Sequence, residues 1–234
     1  GVISNYLTLT RNVGQFLNLV FNSGTASFGN LIATESKQKQ YDMFKAFRFL
    51  AFWAYGFASI ALLVLMTPFV SLLWGEHNTI GFAVVFWLCV NYYFGGHRTC
   101  VYNVKVAGGL FDQDKFLAFA TAIVNLVVSI IGAKIWGPAG VYFGTFVQGM
   151  LETIVRPGII YKNLFDVPVK YYFIDGFKYL VTVIVAAVMC YGLRLLTMPV
   201  FNIPGFILNM AIVVVIPNGI FYILFRKRPE NCIR

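Results

Sequence analysis

The chain has 234 residues, of which 59% are hydrophobic and 12% charged, far from the soluble average of about half apolar and about a quarter charged. A water-soluble domain of this size has no core able to hide 24 Phe and 13 Tyr spread along the whole length, so the composition indicates an integral membrane protein and excludes disordered, fibrous and disulfide-rich secreted classes. The net charge of +9 does not indicate nucleic acid, because the basic residues cluster between apolar runs, the pattern of membrane topology. Cys89, Cys100, Cys190 and Cys232 have no CxxC spacing, and three lie in apolar stretches, so neither a metal site nor a disulfide framework is indicated. The opening GVISNYL has no initiator Met, basic n-region or small-residue cleavage site and reads as the cut end of a longer protein.

A hydrocarbon core of about 30 Å needs roughly 20 helical residues. Seven segments are long enough: 3–31, 47–73, 80–104, 116–134, 139–156, 174–197 and 205–225. Non-polar backbone at that depth has to satisfy its own hydrogen bonds, so the expected fold is all-α, a polytopic transmembrane helix bundle of about seven spans. The breaks carry Trp74-Gly75-Glu76-His77-Asn78, Phe111-Asp112-Gln113-Asp114, Trp136-Gly137-Pro138, Arg156-Pro157 and Met198-Pro199. Basic residues collect in alternate gaps: Lys37, Lys39, Lys45 and Arg48; Lys105 and Lys115; Arg156, Lys162 and Lys170; and Arg226, Lys227, Arg228 and Arg234. The intervening gaps hold Lys134 alone. The positive-inside rule therefore places the C-terminus in the cytoplasm and starts the first helix outside.

The first segment is too polar for a helix surrounded by lipid. At 100° per residue Asn5, Thr8, Arg11, Asn12, Gln15, Asn18 and Asn22 fall within an arc of roughly 140°, with Val2, Leu9, Val13, Phe16, Leu17 and Val20 opposite. Such an arc either faces a water-filled cavity or supplies amides that hold helices together. In the third segment Asn91, Gly95, Arg98, Tyr102 and Lys105 share one face. A cation at mid-helix costs roughly 2.5 to 3.5 kcal/mol on insertion scales, so Arg98 is expected either to meet an anion in a cavity or to join a buried ion pair. Lys105 is expected to snorkel to the cytoplasmic interface.

Later segments are quieter. Thr121, Asn125 and Ser129 form a polar line suited to interhelical hydrogen bonds, and Gly140 and Gly144 permit close approach. Thr145, Gln148, Glu152 and Arg156 follow helical spacing, with Glu152 placed four residues before Arg156 for a local salt bridge. Pro217 is expected to kink the seventh span. Asp112-Gln113-Asp114 resembles a DxD metal motif but precedes a helix, where it is expected to act as an N-cap. His77 and His97 have no ligand cluster around them. No catalytic residue, metal site or cofactor is expected.

These residues carry a resemblance. The run SNYLTLTRN, followed by NSGTASFGNLIATES, QYDMFKAFRFL and HRTCVYNVKVAGGLFDQDKFLAFATAIVNLVVSIIGAKIWGPAGVYFGTFVQGMLETIVRPGIIYKNLF, resembles bacterial polysaccharide flippases of the Wzx type, in the multidrug/oligosaccharidyl-lipid/polysaccharide exporter superfamily. The telling pieces are Gly29 to Ser36, Ala107 to Asp112, the helix with Asn125 and Ser129, and Gly137 to Thr145. The likeness covers residues 1–172, which it implies are five spans of the C-terminal lobe of a two-lobe exporter. Residues 173–234 fit by position, as two further helices and a basic cytoplasmic tail.

The resemblance implies transport of undecaprenyl-diphosphate-linked oligosaccharide across the bacterial cytoplasmic membrane for surface polysaccharide such as O-antigen or capsule. Implied partners are the lipid-linked oligosaccharide, membrane lipids, the missing N-terminal lobe and a polysaccharide polymerase, with no nucleic acid. Arg11 and Arg98 would meet the diphosphate, and Asn5, Asn12, Gln15, Asn18, Asn91 and Tyr102 would meet sugars. Two alternatives stand beside it: a drug or cation antiporter of the same superfamily, which would favour acids in its cavity, and an integral-membrane transferase or polymerase, which would need a catalytic constellation in a sizeable loop.

Overall fold

The computed structural model describes residues 1–198 and 200–226. Among them the chain is helical and without strands: α1 Val2–Thr34, α2 Lys37–Trp74, α3 Phe82–Ala107, α4 Leu117–Trp136, α5 Pro138–Ile160, α6 Lys170–Thr197 and α7 Ile203–Phe225. Each helix corresponds to one of the predicted apolar segments, with α3 and α4 starting two residues and one residue later than predicted. The expected cluster of charge at Lys227, Arg228 and Arg234, the break at Pro199 and Cys232 lie outside the described residues.

Local chemistry sets the boundaries. The Ser36 hydroxyl accepts from the Lys39 N–H at 3.4 Å, which caps α2 and starts it ten residues ahead of the predicted 47. Gly137, at φ +59°, reverses the chain between α4 and α5, and Pro138 opens α5 where its missing N–H costs nothing. The Asn202 side chain accepts from the Gly205 N–H at 2.7 Å and opens α7. The N-cap expected from Asp112-Gln113-Asp114 does not form. Those residues make one turn of 3-10 helix, and α4 begins after Phe116 with no side-chain cap.

Four helical segments are long and apolar enough to cross a membrane: Lys37–Trp74, Asp112–Trp136, Lys170–Thr197 and Ile203–Phe225. They contain α2, α4, α6 and α7. The long helices that fall short are α1, α3 and α5, the three that carry polar stripes. A helix with one wet face has a lower mean hydropathy than one that is apolar all round, however deeply it is buried.

Those three helices form one layer. Ile80, just before α3, donates its N–H to the Tyr6 hydroxyl, Gly14 meets the Tyr92 ring and Asn22 accepts from Asn103, so α1 and α3 run in the same direction. Asn91 donates to the Tyr142 carbonyl and the Arg98 guanidinium lies on Gly149, so α5 runs with them. The hairpin partner α4 packs on α5, and α2 packs on α1 and α3.

Small residues bring α4 and α5 together. A Cβ on Gly140 would fall 1.9 Å from the Gly132 carbonyl oxygen, and one on Gly144 would fall 2.2 Å from the Ser129 hydroxyl. Backbone contact of this kind supplies dispersion energy that a seam of larger side chains would prevent, and between helices in lipid dispersion is a main driving force. Of the expected polar line on α4, Ser129 does bond across the seam, to the Val141 carbonyl at 3.3 Å. Thr121 turns back on its own helix, and Asn125 makes no hydrogen bond among the described residues.

The α6–α7 hairpin docks on α2 through rings. Phe52 stacks on Tyr179 at 4.3 Å and meets Phe221 at 4.8 Å, each such pair being worth about 0.5 to 1.5 kcal/mol beyond area. Trp53 donates to the Asn218 amide oxygen at 2.6 Å. Arg48, expected among the interfacial basic residues, is buried in this seam. Its guanidinium lies 3.7 Å from the Tyr172 ring centre and donates to the Tyr172 carbonyl at 3.0 Å.

Candidate functional site: a cationic cavity between α1, α3 and α5

A cavity of about 660 Å³ opens between α1, α3 and α5, with Tyr55 of α2 at its back. The α1 face presents Arg11, Gln15 and Asn18. From α3 come Asn91, Arg98 and Tyr102, and from α5 Thr145, Glu152 and Arg156. Six of the residues singled out in the sequence therefore meet at one place: Arg11, Gln15, Asn18, Asn91, Arg98 and Tyr102. Asn5 and Asn12 do not line it. They sit on the flank of α1, Asn12 exposed and Asn5 half-buried.

The polar arc of α1 divides its work. Asn18 accepts from the Tyr55 hydroxyl at 2.6 Å, and Asn22 accepts from Asn103, which also donates to the Phe21 carbonyl. These amides hold helices together. Arg11 and Gln15 make no hydrogen bond or ion pair among the described residues and face the cavity. The arc is thus divided between bonds to neighbouring helices and the wall of a cavity. Asn91 also serves both, since its amide nitrogen is bonded to α5 while its amide oxygen is buried without a partner among the described residues.

Charge in the cavity wall is ordered as a chain. The Arg98 Nε lies 3.6 Å from the Glu152 carboxylate, and the same carboxylate accepts from Arg156 Nη1 at 2.8 Å. Arg156 Nε then donates to Asp114 at 3.0 Å, and Asp114 is held on its other oxygen by Lys105 at 2.6 Å. The chain joins α3, α5 and the turn before α4. Its links are unequal: three are direct hydrogen bonds, whereas the Arg98 contact is longer than a hydrogen bond.

Two expectations are corrected by this arrangement. Lys105 does not snorkel; it is 4% exposed and pairs with Asp114. Snorkelling is the solution for a lone cation, and the turn at residues 108–114 folds a carboxylate back within reach. Asp114 in turn forgoes a capping role because two cations offer stronger, charge-assisted bonds than backbone N–H groups. The local pair expected between Glu152 and Arg156 does form. What the helical spacing did not reveal is that the same carboxylate reaches Arg98 on α3.

Arg98 joins the ion-pair chain and also lines the cavity wall. Its Nη1 is buried with no hydrogen-bond partner among the described residues. The guanidinium lies against Gly149, where a Cβ would fall 2.2 Å from Nη1. Around it Tyr102 offers a ring face 5.4 Å from the Arg156 guanidinium.

No protein-family model, curated protein or solved structure matches the chain. The inventory of the cavity wall is guanidinium groups in excess of carboxylate, with amides and tyrosines, donors of the kind that suit an anion and hydroxyl-rich groups.

Proposed function

We propose that this chain is the C-terminal lobe of a Wzx-type flippase, and that it carries the headgroup of an undecaprenyl-diphosphate-linked oligosaccharide across a bacterial cytoplasmic membrane. On this reading all seven long helices span the bilayer, with the C-terminus in the cytoplasm. The polar stripes of α1, α3 and α5 then face the translocation path, opposite an N-terminal lobe, and a polysaccharide polymerase receives the product. The protein performs transport and no covalent chemistry.

One observation carries the proposal: Arg11 and Arg98 line a single cavity with Gln15, Asn91 and Tyr102, and Arg11 makes no hydrogen bond or ion pair among the described residues. An unpaired cation in the hydrocarbon region is costly, and a cavity that concentrates cations lowers the large desolvation cost of moving a diphosphate through it. Amides and rings suit sugars. The antiporter alternative has Glu152 in its favour, as an acid in the cavity wall, but Glu152 is already shared by Arg98 and Arg156. That leaves no free carboxylate in the cavity wall for an organic cation among the described residues.

The test is translocation of a fluorescent undecaprenyl-diphosphate oligosaccharide in liposomes containing the full-length protein. Arg11→Ala breaks no hydrogen bond or ion pair among the described residues, so the variant is expected to fold normally and to flip about tenfold more slowly, the loss of one charge-assisted bond. Absence of flipping by the parent with its cognate glycan would move the assignment to the antiporter or transferase.

A further inference from the structure

Helix α3 carries polar atoms into the cavity wall without partners. Asn91 Oδ1, the Tyr92 hydroxyl and Arg98 Nη1 are buried and make no hydrogen bond among the described residues, and all three residues line the same space. Buried polar groups without partners are uncommon, so three within two turns of one cavity-lining helix point to groups supplied by a ligand. None of these atoms has a protein bond to give up when it turns to that ligand. Asn91 holds the Tyr142 carbonyl through its nitrogen, at 2.8 Å, which leaves the oxygen uncommitted.

The three are ordered along the helix. Arg98 lies seven residues after Asn91, about 10 Å along the axis, so an anion at Arg98 leaves the next group of the ligand beside Asn91 and Tyr92. A diphosphate joined to a pyranose ring spans that interval. Successive helical residues diverge by about 100°. Asn91 leans to α5 through its bond to Tyr142, whereas the Tyr92 ring leans to α1 and α2, against Gly14 and 5.7 Å from the Tyr55 ring. Leu88, one turn earlier and between them in angle, adds an apolar surface to the same wall. An acceptor and a hydroxyl donor thus flank an apolar patch.

A secondary amide matches this order, because its N–H and C=O point in opposite directions. We infer that Asn91 and Tyr92 form a subsite for an acetamido group on the sugar joined to the diphosphate. The amide N–H donates to Asn91 Oδ1, its carbonyl accepts from the Tyr92 hydroxyl, and its methyl rests on Leu88. A sugar hydroxyl, with one oxygen, reaches only one of the two side chains and brings nothing apolar to the leucine. The inference rests on the diphosphate-carrier reading of the cavity. It makes Tyr92 a specificity-determining residue, one that periodicity did not single out because beside Tyr93 and Phe94 it reads as one more ring.

The experiment is calorimetric titration of the detergent-solubilised full-length protein with farnesyl-diphosphoryl N-acetylglucosamine and with farnesyl-diphosphoryl glucose, lipids that differ only at C2 of the sugar. The parent is expected to bind the acetamido lipid about tenfold more tightly, the worth of one to two hydrogen bonds. Tyr92→Phe removes an oxygen that bonds nothing in the protein, so it should melt no lower than the parent and lose most of the preference through weaker binding of the acetamido lipid. Tyr102→Phe, one turn beyond Arg98, should keep the preference whatever it does to affinity. Equal affinity of the parent for the two lipids, a preference that Tyr92→Phe leaves intact, or one that Tyr102→Phe abolishes as well would overturn the inference and leave the carrier reading standing. Failure of the parent to bind either lipid would overturn both.

Discussion

Asp112 and Asp114 are two residues apart and do opposite things. Asp112 is 93% exposed and only grazes Lys115 at 4.0 Å, whereas Asp114 is nearly buried between Lys105 and Arg156. Asp112→Ala is expected to leave the melting temperature in detergent unchanged. Asp114→Ala strands two cations and should cost about 3 to 5 kcal/mol, the usual penalty for removing one partner of a buried ion pair. Equal effects of the two substitutions would restore the capping role that the sequence suggests. Gly149 gives a second residue-level expectation. A methyl there meets the end of the flexible Arg98 side chain, so Gly149→Ala should shift that guanidinium, weakening diphosphate binding severalfold with little loss of stability. Thermal melts beside titration of the variant check both halves.

At the level of elements, much was legible in the sequence. The helices are long, apolar and separated by Gly, Pro and Asn, and each signal has a direct backbone cause, such as the left-handed turn at Gly137. The cavity was half legible. Periodicity put Arg11, Gln15 and Asn18 on one face of α1 and Asn91, Arg98 and Tyr102 on one face of α3, but a wheel has no zero direction. It did not show that Asn5 and Asn12 fall on the flank, because that depends on which side α3 packs. The Arg98–Glu152 contact was illegible for the same reason, since it joins two helices with a third between them in the chain. Arg48 shows the limit of counting basic residues: a cation beside a span boundary is placed with the interface, yet rings of α6 bury it.

The α4–α5 seam makes the strongest prediction about an element. Gly140→Val would drive side-chain atoms into the Gly132 backbone and should prevent the hairpin from closing, seen as loss of the monodisperse peak on size exclusion. Gly158→Val, in the same helix with open space around it, should elute as the parent does. Aggregation of both would point to helix propensity instead of packing.

Over the whole molecule, the division of labour follows polarity. The apolar helices α2, α4, α6 and α7 are those long and apolar enough to cross a membrane, and the three with polar stripes gather around the cavity. In a flippase that cavity has to be wet and reserved for an anionic headgroup. Cysteine accessibility tests it most directly, in a cysteine-free background with a membrane-impermeant maleimide. Gln15→Cys, in the cavity wall, should be labelled rapidly and protected by the lipid-linked oligosaccharide, while Leu126→Cys, on the exposed apolar face of α4, should resist labelling. A Gln15→Cys that stays unlabelled, or is labelled at the same rate with and without the glycolipid, would contradict the account.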